Sequence, residues 1–375
     1  MKIVKNTSVF IIVIIIIFVI SFCAYGQESI NSFLESTSED LMSVLDTQTK
    51  DILSEMGVDL TDYNSVFNLS FTDILKSIGS IFKVSSKDSI ILLFKLLAML
   101  IVMIAVKGLN TDEGKKPHII DDVFSLVCVI SSASVIEETL LQFSAAFKLT
   151  GKFMYSYIPV LTVLLSVSGN ITGSAIYNSV ALVMAQLITT LADSIILPVM
   201  GIYFALISAM SFNDIVGNNK LAGGINKAIT GLVSFVTVIF TFFLSAKNIL
   251  AKDIDGVLYR SGKYILTGIV PVIGSSIGSI LNSIIGSLSL IKSTVAVFAV
   301  VAVFIINLPV LIRLSLDRLI LNLIATVGDT FGEKTASGIF KSFSGGLKIL
   351  VTLTAFEVIL VVISTGLIIL IKGEL

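Results

Sequence analysis

The sequence is short of the residues on which most chemistry depends. In 375 residues there are one histidine, two cysteines, five prolines and no tryptophan, and only 14% of residues are charged. A lone histidine builds no metal cluster and no acid–base pair, and His118, in the loop stretch GKKPHIIDD, reads as a solvated residue. The two cysteines, Cys23 and Cys128, lie in apolar runs. Cleavage of a leader containing Cys23 would leave Cys128 without a disulfide partner, packing as a small hydrophobe. No P-loop, nucleophile motif or paired His/Cys arrangement occurs, so the sequence gives no reason to expect an enzyme, a cofactor or a metal. Net charge is −1, with Lys and Arg scattered singly between apolar runs, which is no footprint for nucleic acid.

What is present is apolar surface. Hydrophobic residues make up 55% of the chain and the mean hydropathy is +1.01. The expected fold class is all-α: a polytopic membrane protein with an N-terminal signal peptide and two internally repeated helical membrane units, inverted relative to each other. Residues 1–26 carry the leader. Lys2 and Lys5 precede the unbroken apolar run Val9–Ile20, and Ala24-Tyr25-Gly26 supplies small residues for cleavage after Gly26. An uncleaved signal anchor is the alternative.

Residues 27–88 form an acidic extracytoplasmic helical segment, with eleven acids against four lysines. One stripe runs through Ile30, Phe33, Leu34, Leu41, Val44 and Leu45 and on to Ile52, Leu53 and Met56, with Gly57 as a stop. A second runs through Phe71, Ile74, Leu75, Ile78, Ile81 and Phe82. Such a segment is either a lid packed on the membrane domain or a docking surface, and periodicity does not choose between them. Residues 89–150 hold the first two membrane helices, Ile90–Val106 and Val123–Ile136, with their loops.

Membrane repeat 1 occupies 151–250 and membrane repeat 2 occupies 262–372. GKFMYSYIPV (Gly151–Val160) matches GKYILTGIVPV (Gly262–Val272), LPVM (Leu197–Met200) matches LPVL (Leu308–Leu311), and KLAGGINK (Lys220–Lys227) matches KTASGIFK (Lys334–Lys341). The spacing from Pro159 to Pro198 is 39 residues and from Pro271 to Pro309 is 38. Three anchors in one order indicate a duplicated unit.

The basic loop Lys247–Lys263, the lysines at 107, 115 and 116, and a third group of Arg313, Arg318, Lys334 and Lys341 mark cytosolic loops by the positive-inside rule. They agree if each repeat crosses three times, giving eight passes. The long run Ile176–Phe212 leaves open a kinked helix or a hairpin of two short passes, which would make four crossings per repeat.

Three sets of residues are candidates for function. Pro159, Pro198, Pro271 and Pro309 each remove a backbone donor and are expected to kink or break a helix. Asp193 and Glu357 are carboxyls inside apolar runs. They line a polar path, pair within the bundle, or act only in packing. The stretch IVPVIGSSIGSILNSIIGSLSLIK (Ile269–Lys292) places Gly274, Ser275, Gly278, Ser279, Asn282, Ser283, Gly286 and Ser287 on one small, hydroxyl-rich helical face, suited to close helix packing or to lining a narrow pore.

Lys263, Val270-Pro271-Val272-Ile273-Gly274 and Leu290-Ile291-Lys292, together with a leader, an acidic outer segment and a duplicated membrane domain, resemble the stage III sporulation protein AE family. The resemblance implies the cell membrane of a sporulating cell, specifically the mother-cell-derived outer forespore membrane. It implies partners among the stage III sporulation A-operon proteins AA to AH and stage II sporulation protein Q. It also implies a channel-like or secretion-like complex between mother cell and forespore that supports late forespore development. No catalytic residue carries over. Two other functions stay open beside it: a secondary transporter with inverted repeats, and a passive scaffold that forms a homo-oligomer through the glycine–serine face.

Overall fold

Helical signals in the sequence become a bundle of very long helices. The computed structural model describes residue 33, residues 35–60, 62, 65–66, 71–109, 118–168, 171–210, 224, 227, 228, 231, 234, 238 and 274–370. The leader, the basic loop Lys247–Lys263, Lys115, Lys116 and Pro271 lie outside these residues. In chain order the main elements are α1 (35–44), α2 (Thr47–Glu55), α3 (Phe71–Leu109), α4 (His118–Val167), α5 (Ile171–Leu191), a π-helical turn (Ala192–Ile196), α6 (Leu197–Met210), α7 (Gly274–Thr330) and α8 (Lys334–Leu370). No strand occurs among the described residues.

Local chemistry sets the ends of these helices. The Asp46 carboxylate accepts a hydrogen bond from the Thr49 amide at 3.2 Å and so caps α2. Gly57 stops α2 at a φ of 66°, where the Val58 amide reaches the Leu53 carbonyl and the Gly57 amide reaches the Ser54 carbonyl. The same device ends α7. Gly332 takes a φ of 84°, the Glu333 amide bonds Gly328 and the Gly332 amide bonds Asp329. A side chain at either glycine would be strained in the left-handed region. The tight turn after α7 sends α8 back along it.

Polar contacts give the helix directions. Ser166–Ser174, Thr162–Asn178 and Ser144–Asp193 pair α4 with α5 and the π turn in antiparallel order, at 2.5, 3.2 and 3.0 Å. Thr150–Asn307 and Thr139–Asp317 run α4 antiparallel to α7, at 2.9 and 3.4 Å. Ser89–Asp317 and Lys107–Glu333 set α3 parallel to the second half of α7, at 2.6 and 2.5 Å. The Tyr203 hydroxyl donates to the Ser342 carbonyl at 2.8 Å, and Phe204 stacks on Phe343, joining α6 to α8. Gly346 makes that approach possible, because a Cβ there would fall within 2.5 Å of the Phe204 ring.

Leu41, Leu45, Ile52 and Leu53 of the acidic segment belong to the same apolar core as the long helices, and α2 packs on α7. The segment thus sits as a lid on the bundle. Its second stripe is only partly used: Ile81 is buried, while Leu75 and Phe82 are exposed. α3 carries residues 71–88 directly into the apolar run that begins near residue 89, without a break.

Among the described residues five helical stretches are long and apolar enough to cross a membrane: Leu75–Gly108, Asp122–Val167, Thr172–Ala209, Leu288–Thr330 and Lys334–Thr365. At 1.5 Å per residue they run to about 48–69 Å, beyond a hydrocarbon core of about 30 Å. Their outward faces are apolar at Phe94, Ile101, Val183, Leu319 and Ile363. The protein is all-helical among the described residues and is a multi-pass membrane protein.

One alternative left open by the sequence is decided and one expectation changes. Residues 171–210, most of the run read as a kinked helix or a hairpin, form one continuous helical path with a π turn. α7 runs without a break from the glycine–serine stretch through residues 290–295, with the Ser293 and Thr294 hydroxyls turned back onto the carbonyls of Ser289 and Leu290. Arg313 and Arg318 lie inside α7 rather than in a loop. Arg313 is held there by carboxylates from neighbouring helices.

Candidate functional site: a buried ion cluster and a buried carboxyl

Arg313 projects from the middle of α7 between α3 and α4. Its side chain is 7% exposed. Nη1 donates to Asp88 of α3 at 2.8 Å, Nη2 donates to Glu138 of α4 at 3.3 Å, and Nε donates to Asp317, one turn along α7, at 3.2 Å. Asp317 is fully buried and its other contacts are the hydroxyls of Ser89, at 2.6 Å, and Thr139, at 3.4 Å. One guanidinium faces three carboxylates, and the excess negative charge rests on Asp88 and Glu138, whose side chains are each 54% exposed. The planar five-donor fork of arginine suits this arrangement, in which one cation binds three helix positions at once. A cavity of ≈ 600 Å³ adjoins the cluster, walled by Asp46 and Thr49 of the lid, Asp88 of α3, Lys148 and Lys152 of α4 and Arg313.

The two intramembrane carboxyls have opposite fates. Asp193 sits in the π turn, accepts from the Ser144 hydroxyl and pairs with Lys148 at 3.0 Å. Glu357 lies in α8, 1% exposed, and its Oε2 has no partner among the described residues. It lines a cavity of ≈ 30 Å³ with Thr150, Gly151, Thr189 and Ser364. Gly151 lets α5 come in against α4, since a Cβ there would collide with the Thr189 hydroxyl.

Of the helix-breaking prolines, Pro159 and Pro309 lie inside α4 and α7, which continue through them. A proline removes one ladder bond, and a helix packed among long neighbours survives that loss. Pro198 is the second residue of α6, just after the π turn. Gly274, Ser275, Gly278, Ser279, Asn282, Ser283 and Ser287 fall in α7, but their side chains lie outside what is described. Gly286 is exposed, and a Cβ there would meet nothing within 4 Å, so it makes no close helix contact among the described residues.

Arg313 and its partners escaped the sequence reading. The three carboxylates lie 225, 175 and 4 positions from it. The local signal was a run Arg313–Arg318 with Asp317 inside, and that pattern marks a loop as readily as a buried cluster.

A family profile described as stage III sporulation protein AE matches residues 58–372, which takes in α3 to α8, the cluster and Glu357. The chain belongs to the stage III sporulation protein AE family. The stage III sporulation protein AE of Bacillus subtilis (strain 168) is 24% identical over 195 residues, covering 52% of this chain and 46% of that protein. The chain thus spans about half the length of the curated relative it matches. No solved structure matches it. As a stage III sporulation protein AE family member with several long apolar helices, it is a multi-pass membrane protein of the sporulation system.

Proposed function

We propose that the chain is an integral membrane component of a sporulation-specific channel or secretion-like complex linking mother cell and forespore, placed in the outer forespore membrane and needed for late forespore development. The observation that carries this reading is the family match across nearly the whole helical bundle, residues 58–372. Its partners on this reading are the stage III sporulation A-operon proteins AA to AH and stage II sporulation protein Q. The chain acts without catalysis, after removal of residues 1–26, and its membrane part derives from two related units, 151–250 and 262–372. Long bundles with lipid-compatible outer faces support it as the membrane-embedded part of such an assembly.

Deleting the gene in a sporulating host tests the reading. Engulfment should finish while a late forespore reporter stays silent, and the tagged protein should co-purify with the named partners. Normal late forespore expression in the deletion strain would overturn it. A second reading, secondary transport, is favoured by one observation, the unpaired buried carboxyl of Glu357.

A further inference from the structure

The cavity beside Glu357 holds an acid oxygen with no partner among the described residues. That atom, Glu357 Oε2, is buried, and the Thr150 hydroxyl on the α4 wall accepts from the Asn307 amide nitrogen at 2.9 Å. The Thr189 hydroxyl gives its proton to the Ala185 carbonyl at 2.9 Å, so it offers only lone pairs to the cavity. The Glu357 carboxyl and the hydroxyl-bearing side chains of Thr150, Thr189 and Ser364 line, beside the apolar Met154, Met184 and Leu360, a space of ≈ 30 Å³, larger than the roughly 10–15 Å³ one water needs.

Among the described residues no cation lines this cavity. On α4, Lys148 and Lys152 line the separate lid cavity, and Lys148 pairs with Asp193 of the π turn. α4 and α5 also carry the buried phenols Tyr157 and Tyr177. α7 presents Asn307, while Arg313 and Asp317 are held in their own cluster. On α8 itself Lys348 is exposed. A bare carboxylate buried here would be heavily disfavoured.

We propose that Glu357, with the hydroxyls of Thr150, Thr189 and Ser364, binds a small monovalent cation, a proton or a sodium ion, inside the bundle. A divalent ion fits poorly. One carboxylate is too little charge, and no group of three or more His, Cys, Asp or Glu residues among the described residues could hold a metal. Neutral oxygens around a single carboxylate suit a monovalent ion near an irregular helix. The π turn Ala192–Ile196 begins three residues after Thr189. The site is complete within one chain, so the inference stands or falls independently of the channel reading.

The test is dicyclohexylcarbodiimide labelling of the full chain purified in detergent, with the adduct located by peptide mass spectrometry. The reagent is apolar, enters the micelle and reacts with protonated carboxyls. The expected result is an adduct on Glu357 that is absent from the Glu357→Gln variant and restored in Glu357→Asp. If the ligand is a proton, labelling falls about tenfold per pH unit above its midpoint and ignores sodium. If it is sodium, sodium chloride suppresses labelling at fixed pH and choline chloride does not. Ser364→Ala should then raise the protecting sodium concentration about fivefold. An unmodified Glu357, or labelling that is the same at every pH and in both salts, would overturn the proposal.

Discussion

Asp317 and Glu357 are both acids, both closed off from the surface and both on the paired helices α7 and α8, yet they live under opposite rules. Asp317 has a guanidinium at 3.2 Å and two hydroxyls, each from a different helix. Glu357 has a small cavity, neutral oxygens and an orphaned oxygen atom. Burial alone therefore does not tell what an acid does. Where a cation lies one helical turn away, as Arg313 does from Asp317, the acid joins a cluster that fastens helices together. Where none does, the acid must take its counter-charge from outside the fold.

The largest expected effect comes from removing the cation. Arg313→Met leaves Asp317 buried without its partner and should cost about 3–5 kcal/mol, read as a drop in thermal unfolding temperature in detergent. Adding Asp317→Met to that variant should recover much of the loss, because an apolar pair replaces an ion pair more easily than a lone charge survives. Equal stability of the single and double variants would break the comparison. Asp317→Asn keeps the shape, weakens the bond to Arg313 and should cost about 1–3 kcal/mol in the same assay. The Asp193–Lys148 pair is an intermediate case, since its side chains are 34% and 51% exposed. A double-mutant cycle with Asp193→Asn and Lys148→Met should return a coupling of under about 1 kcal/mol. The smallest effect is expected at Glu357. Glu357→Gln should change unfolding by no more than about 0.5 kcal/mol, or raise stability, because no ion pair is lost. A loss as large as that of Arg313→Met would mean that Glu357 has a cationic partner after all.

Much of the fold was legible, and the reasons are local. Apolar runs longer than a bilayer thickness announce membrane helices. The Gly57 stop follows from its place after the stripe of α2, and the buried Leu41, Leu45, Ile52 and Leu53 are the residues the stripe named. The run 171–210 was ambiguous because proline and a long apolar stretch are equally compatible with a kinked helix and a hairpin. A π turn ahead of Pro198 resolves it. At the candidate site, Asp193 and Glu357 stood out because an acid in an apolar run needs no alignment to be noticed. Arg313 did not, because charges near one another in sequence resemble a loop.

By itself, then, the sequence determined an all-helical membrane chain, the acidic segment ahead of it, two acids inside apolar runs and a likeness to its family. Periodicity, run length and composition are short-range properties, and each of these conclusions rests on them. Only the tertiary structure decided that the acidic segment is a lid, that Arg313 ties together carboxylates from α3, α4 and α7, that Asp193 is paired and that Glu357 is not. Most of those outcomes depend on which helices face one another across separations from 49 positions, at Ser144–Asp193, to 225, at Asp88–Arg313. A charge in low-dielectric surroundings is governed by its nearest counter-charge, and no local pattern states that Arg313 will also meet Asp88 and Glu138, 225 and 175 positions away.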